Sequence, residues 1–471
     1  MLSTELENLV LALRTHQADP QTVACVPAHQ EAPEEIYDLV SSFANQDEGG
    51  VIVFGVDEQA NYEPVGVYAV LDLQQAIADQ CAQMSPCVDP VFTVATVDGK
   101  RVVSAEIPAV EAALRPCYYA GKGPELGSFK RAGYMVEPMS AYELYSFSAD
   151  AERIHNDARP LDDMPEDALD TELVSSYLDA LRASRPNLAP LTDAQLLALT
   201  GLERDGMPTL AELVLFGRYP QASHGQLCIM ASRIQEESDD DGFVTETLAD
   251  TKRIEGTVPE MLEAALDYAL NAPGDQDATE RIAVPQAALR EAVLNALEHR
   301  DYSVYTEAIP VQLVVRTGSI EVVNPGGLFG GTRIDQLGSA WCDRRNATLA
   351  AALTTLGLTQ GTQGGLTAMA AAMDEAGCPE PEIWCNRTNF SVTLYTGTPA
   401  APVYDMADDT QKMLAFCTTP RSRAEIAELF GLSSVAYVTN HYIMPAVEKG
   451  LLSMSLPDKP RSKNQRYTTV Q

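Results

Sequence analysis

The sequence predicts an α+β multidomain protein, and three observations lead there. The chain has 471 residues, enough for two to four domains with real cores. Segments of helical period alternate with apolar strands along its whole length. Proline-rich breaks at Arg159–Pro165 and Pro399–Pro402 interrupt both patterns. The expected domains are residues 1–150, 160–400 and 408–471.

In the first domain Leu6, Leu9, Val10 and Leu13 form one face of a short helix. A second helix is expected over Pro33–Asn45, with Ile36, Leu39, Val40 and Phe43 inward. Gly49-Gly50 then leads into an apolar strand, Val51–Val56. Residues 91–107 read as a hairpin turning at Asp98-Gly99, the dipeptide that favours a tight primed turn.

In the middle, residues 166–183 make a helix with Leu169, Leu173, Tyr177 and Leu181 inward, and Leu191-Thr192-Asp193 caps the next one. Pro208–Pro220 runs from a helix into a buried turn. Glu236–Asp241 reads as a solvated acidic loop, since it lacks the glycine and the ligand spacing of a calcium loop.

The stretch Leu289–Tyr302 follows the breaker Pro285 and reads as an amphipathic helix. Glu291, Asn295 and Glu298 recur along one face of it. A carboxylate that polarises water, one turn from an amide that holds hydrated Mg²⁺, suits a nucleotide phosphate site. The same pattern also fits the solvated face of a core helix. The glycine turns favour the first reading. Ile309–Val315 and Ile320–Val323 form strands that run into Asn324-Pro325-Gly326-Gly327-Leu328. Gly361-Thr362-Gln363-Gly364-Gly365 then opens another apolar helix. Such turns ahead of helix N-termini let backbone N–H groups approach phosphate. No Gly-x-x-x-x-Gly-Lys-Ser/Thr sequence occurs, which excludes a P-loop motor.

In the last domain Ser422–Ser433 reads as helix, glycine turn and N-cap, and Ser434–Lys449 as a second helix carrying Val435, Val438, Ile443 and Val447. A hairpin-like wing follows Gly450-Leu451-Leu452, with its tip at Asp458–Tyr467.

Composition narrows the function. Hydrophobic residues make up 45% and charged residues 21%, the values of a soluble globular chain. No apolar run approaches a membrane span, and Met1–Glu5 lacks the basic and apolar regions of a leader, so a cytoplasmic location is expected. The nine cysteines are odd in number and scattered, which fits buried thiols better than zinc. Lys+Arg 32 against Asp+Glu 67 gives a net charge of −35, which disfavours broad coating of DNA. From residue 411 onward, however, 8 Lys/Arg face 4 Asp/Glu, a local footprint of DNA binding.

Three resemblances follow from these motifs. The order Arg290-Glu291, Asn295, His299-Arg300-Asp301-Tyr302, Asn324–Leu328, Arg345-Asn346 and the glycine turn resembles the RecG-like C-terminal module, a relative of the GHKL ATPases, over residues 280–400. The resemblance implies a GHKL-like α/β sandwich with ATP and Mg²⁺ as cofactors. Glu291 would activate water and Asn295 would hold Mg²⁺. Asn295, Asn324, Gly326, Gly327, Gly361, Thr362 and Gly364 would bind nucleotide. The adenine-recognising aspartate of that family is replaced by Asn324, and its third glycine by Leu328. The sequence Ser42–Asn45 with Gly49–Asp57, and later Gly127–Gly133, resembles the AlbA-like domain of Schlafen-type proteins over residues 1–145. That resemblance implies nucleic-acid contact. Lys130 and Arg131 either meet phosphate or only solubilise a strand edge. The stretch near Ala24–Pro27 lacks the family's Glu-x-Lys, so no nuclease is assigned.

The last domain resembles a winged helix-turn-helix. Tyr437, Asn440 and His441 would meet base edges, and Lys459, Arg461, Lys463 and Arg466 would meet phosphates. Such a fold also serves for dimerisation alone. The three modules in this order resemble AlbA/Schlafen-domain transcriptional regulators. The expected function is a DNA-binding transcriptional regulator, a homodimer by preference, with a nucleotide- or ligand-sensing domain. The alternative is an Mg²⁺-dependent ATPase acting on or with nucleic acid.

Overall fold

The computed structural model describes residues 1–396 apart from 17–20, 134, 166, 239–243, 272–283, 338–342 and 360–364, together with parts of the tail between 413 and 469. The chain forms two compact units that do not follow its linear order. One comprises residues 1–109, 129–137 and 399–471, the other residues 110–128 and 138–398.

In the first unit α1 (Ser3–His16) buries Leu6, Val10 and Leu13, as its period requires. Helix α2 (Tyr37–Ala44) starts four residues later than the sequence predicts. The Gln80 side chain explains the delay: its amide donates to Pro33 O at 2.9 Å and accepts from Ile36 N at 2.8 Å, holding that segment out of the helix. Helix α3 (Val70–Cys81) carries Gln80.

The sheet has the order β1 (Val23–Val26), β2 (Gly50–Phe54), β4 (Lys100–Ile107), β3 (Val91–Val97). The β1–β2 pair is parallel and the others are antiparallel. The β3–β4 turn has positive φ at both Asp98 (50°) and Gly99 (76°), the geometry of a primed turn. Gly50 is required by close approach, because a β-carbon there would lie 2.1 Å from Cδ1 of the fully buried Phe43.

A small hairpin, β5 (Phe129–Ala132) and β6 (Met135–Pro138), completes this part. Here the structure corrects one expectation. Arg131 is buried, its guanidinium donates to Gln21 O and Val23 O, and it lies over the Phe43 ring. It holds the domain together and does not face a phosphate. Lys130 beside it is half-buried.

The second unit begins its helices with α4 (Ala141–Glu152), capped by a Ser140–Glu143 box. The expected boundary at residue 150 places this helix in the first domain. Its partners lie in the second unit, where Arg387 donates to Asp150 at 2.6 Å and to Ser146 Oγ at 2.8 Å. Helix α5 (Thr171–Ser184) buries Tyr177, Leu178 and Leu181, but leaves Leu173 exposed, against expectation. Helix α6 (Asp193–Thr200) starts at the expected Thr192 cap, which forms a box with Gln195. A short pair, β7 (Glu203–Arg204) and β8 (Met207–Pro208), leads into α7 (Leu210–Phe216), every residue of which is buried.

The large sheet contains β9 (Ile229–Ser238), β10 (Val244–Ile254), β11 (Val311–Val315), β12 (Ser319–Pro325), β13 (Glu382–Cys385) and β14 (Asn389–Tyr395). Its order is β10-β9-β11-β12-β14-β13, and only β9–β11 is parallel among these pairs. Residues 236–238, expected in an acidic loop, continue β9, with Glu236 opposite Glu246. Backbone pairing to β10 wins there over the local preference of acidic residues for loops.

Helices α8 (Val258–Leu270) and α9 (Gln286–His299) pack on this sheet. Two further helices are α10 (Ala347–Thr355) and α11 (Gly365–Glu375). On β11, Val311, Leu313 and Val315 alternate inward and are fully buried.

In the tail Met413, Cys417, Ile426, Ile443, Ala446, Leu452 and Tyr467 form a small core of their own. β15 (Leu452–Met454) pairs antiparallel with β16 (Tyr467–Thr469), and Arg421 exchanges two backbone hydrogen bonds with Tyr467. An antiparallel strand pair thus follows Gly450; the expected tip, 458–465, lies outside the described residues. Tyr437, Asn440, His441, Lys459, Arg461 and Lys463 lie outside the described residues; Arg466 precedes β16 and donates its N–H to Ser455 Oγ.

Candidate functional site

The site builds from α9 outward. Leu289, Ala292, Val293, Ala296 and Leu297 are buried, which leaves Glu291 and Asn295 half-exposed on the opposite side of the same helix. Both side chains reach the start of α11. A β-carbon on Gly365 would sit 3.7 Å from Glu291 Oε2 and 4.0 Å from Asn295 Nδ2. The positive end of a helix therefore faces a carboxylate and an amide one turn apart. Burial raises the Glu291 pKa; Arg290 opposes the shift and Glu298 reinforces it. Arg290 itself is engaged with Glu263 at 2.8 Å.

Glu298 is not part of that group. It is buried, with Arg344 Nη1 at 3.7 Å and His299 Nε2 at 3.5 Å. Among the described residues, no set of three His, Cys, Asp or Glu side chains could hold a metal ion. The cysteines described are free thiols. A hydrated Mg²⁺ held through Asn295 and phosphate oxygens fits the Glu291–Asn295 end, because such an ion takes few protein ligands.

The Asn324 end fits a nucleotide less well. Asn324 is buried at the end of β12, and its amide donates to its own Pro325 O at 3.2 Å and Gly326 O at 3.4 Å. Gly326 and Gly327, expected to lend N–H groups to phosphate, spend them within the protein. Gly326 N donates to Thr388 O at 2.6 Å and Gly327 N to Arg387 O at 3.3 Å. A β-carbon on Gly326 would come within 2.9 Å of Asp301 Cβ, and one on Gly327 within 2.0 Å of Asn386 O. These glycines are there because three pieces of backbone meet, which corrects their assignment as phosphate ligands. Gly361, Thr362 and Gly364 lie outside the described residues.

Below the site sits a buried polar hub that the sequence pattern does not foretell. Asp301 is fully buried, with Arg345 Nη1 at 3.5 Å, the Tyr142 hydroxyl donating at 3.0 Å and Ser303 N at 2.8 Å. Burial and the Asp301 charge raise the Tyr142 pKa, which keeps the phenol a donor. Arg345 also donates to Gly327 O at 3.1 Å and lies over the Phe329 ring. Asn346 donates to Glu298 O at 2.7 Å and Arg300 O at 2.8 Å, closing the C-terminal end of α9. Arg300 donates to Ile309 O at 3.0 Å from a fully buried position. Asp157 Oδ2 accepts from Leu349 N at 2.9 Å in the first turn of α10. The His299–Tyr302 and Arg345-Asn346 motifs hinted at part of this; Tyr142 and Asp157 are too distant in sequence to show.

An α/β sandwich with a carboxylate and an amide beside a helix N-terminus, joined to a small mixed-sheet domain and a tail, defines the class: a multidomain protein with an ATPase-like module. Its domains carry known families. Residues 26–140 match the Schlafen AlbA_2 family. Residues 309–394 match the family described as "Putative ATP-dependent DNA helicase recG C-terminal", and residues 408–469 match the C-terminal domain of the filamentation-induced-by-cAMP (Fic-like) proteins. The chain thus carries a Schlafen AlbA_2 domain, a recG C-terminal domain and a Fic-like C-terminal domain. The second match begins after α9, so Glu291 and Asn295 precede it.

Two solved structures are similar. The DIP2311 protein from Corynebacterium diphtheriae is 18% identical, over 99% of this chain and 100% of that one, with a TM-score of 0.37. The N-terminal domain of a DNA helicase RecG-related protein from Nitrosomonas europaea is 21% identical over 30% of this chain and 94% of that one, with a TM-score of 0.24. Comparison with curated proteins gives no match. Among the described residues, no helix is long and apolar enough to cross a membrane.

Proposed function

We propose that this protein is a nucleic-acid-binding transcriptional regulator whose central domain senses a nucleotide or another phosphate-bearing ligand. The observation that carries the sensing role is the approach of Glu291 and Asn295 to Gly365 at the N-terminus of α11. Oriented N–H groups and a helix dipole favour phosphate there. An Mg²⁺ ion bound with the phosphates would be held through Asn295. The Schlafen AlbA_2 and recG-type domains support an association with nucleic acid. DNA reading falls to the tail as a winged helix, through Tyr437, Asn440 and His441 and the wing cations Lys459, Arg461, Lys463 and Arg466. The antiparallel pairing of β15 with β16 supports that reading. A homodimer would match two half-sites.

Thermal-shift titration of the whole chain with ATP and Mg²⁺ tests the sensing role, because a ligand that binds only the folded state raises Tm. The expected result is a clear rise that is lost in Asn295→Ala. No rise at millimolar ATP overturns nucleotide sensing. Neutralising the four wing cations should weaken DNA binding and lower the slope of log K against log salt by about 3–4. An unchanged slope removes the tail as the reader.

One observation favours a second reading, a slow Mg²⁺-dependent ATPase. The Glu291 carboxylate has its pKa raised and faces the same helix end, as a water-activating base would. ATP hydrolysis abolished by Glu291→Ala would establish it.

A further inference from the structure

We propose that the cavity between α5, α6 and α7 binds a small organic cation, a protonated amine on a short apolar stem. The cavity has a volume of about 400 Å³, within the range of small-ligand sites. Val174 and Leu178 of α5, Leu197 of α6 and Pro208 of β8 give it apolar walls. Two carboxylates, Glu203 and Glu212, line the same space. Asp193 also borders it but is already engaged by Arg182. No Lys, Arg or His is among the described residues that line it.

Glu212 is what singles this cavity out. Its residue is only 3% exposed, yet among the described residues its carboxyl has neither a hydrogen-bond partner nor an ion-pair partner. A carboxylate in so confined a place is poorly hydrated and gains from a cationic partner. Among the described residues the protein offers none, and the space that Glu212 borders is large enough for a ligand. Burial, with Glu203 adding to it, lifts Glu212 to about 7. An arriving ammonium group therefore displaces a proton to solvent and replaces it as the partner of the carboxylate. The apolar walls select an amine with a hydrocarbon stem over a bare ion. The described side chains also provide no three-ligand metal site. None of these residues belongs to the Glu291–Asn295 group, so the two proposals stand or fall separately.

The test is thermal shift and calorimetric titration of the full chain with n-hexylamine, with 1-hexanol and hexanoate as neutral and anionic counterparts. The amine alone should raise Tm. Glu212→Gln should weaken its binding at least about tenfold, the worth of one charge-assisted hydrogen bond. Glu203→Gln, at a less buried position, gives a second variant and should weaken binding in the same direction. Equal binding of hexylamine to wild type and both variants overturns the proposal, and so does equal binding of hexanol. A lysine-rich peptide that binds in a Glu212-dependent way where hexylamine does not would overturn the small-ligand assignment.

Discussion

Removing the Asp301 carboxylate should damage the second unit more than most single substitutions would. Asp301 is fully buried and Arg345 almost so, with Nη1 3.5 Å from Oδ2. At that separation and an effective dielectric near 20, the attraction is about 5 kcal/mol. In Asp301→Ala the Arg345 guanidinium stays buried without its counter-charge, and the Tyr142 hydroxyl and Ser303 N–H lose their acceptor. Breaking one partner of a buried pair costs about 3–5 kcal/mol, so a loss of that size is expected. Asp301→Asn keeps an acceptor for Ser303 N and should cost less, which separates the charge from the hydrogen bonds. Urea unfolding followed by circular dichroism measures both, and Arg345→Met closes a double-mutant cycle. A cost below about 1 kcal/mol for Asp301→Ala, or no coupling to Arg345, would refute the account of the hub.

Two further outcomes follow. Glu212 holds its proton up to about 7 in the folded chain, against 4.5 for its ordinary value. Its contribution to stability is therefore full below pH 4.5 and is lost as pH rises to about 7, a change of up to about 3 kcal/mol. Glu212→Gln should flatten this part of the stability–pH curve, and parallel curves for the two proteins would count against the shift. Gly50→Ala places a methyl group 2.1 Å from a core ring carbon and should cost about 1–3 kcal/mol, read as a lower urea midpoint; an unchanged midpoint would show that Phe43 can move aside.

Sequence made local features plain and long-range ones invisible. Helix α9, the Asp98-Gly99 turn and the Thr192 cap each rest on residues within a few positions of one another, so period and spacing announce them. The late start of α2 depends on Gln80, 44 residues from Ile36, and the inward turn of Arg131 depends on carbonyls 108 and 110 residues away. At the site, the Glu291–Asn295 spacing was readable because one helix carries both. The true use of Gly326 and Gly327 was not, because the carbonyls that take their N–H groups belong to another strand's turn. A glycine pair looks alike in sequence whether it welcomes a phosphate or another piece of backbone.

The Arg345-Asn346 dipeptide fixes how the central domain presents the helix that carries Glu291 and Asn295. Arg345 grips Asp301 and Gly327 at the mouth of β12, while Asn346 grips the last carbonyls of α9. Two neighbouring residues thus act as a strut that sets the gap between the helix bearing Glu291 and Asn295 and the strand end bearing Asn324. A gap set this way is fixed before anything else arrives. Glu291 and Asn295 are held at one distance from the sheet by bonds inside the protein, so no free energy has to be spent on ordering that face.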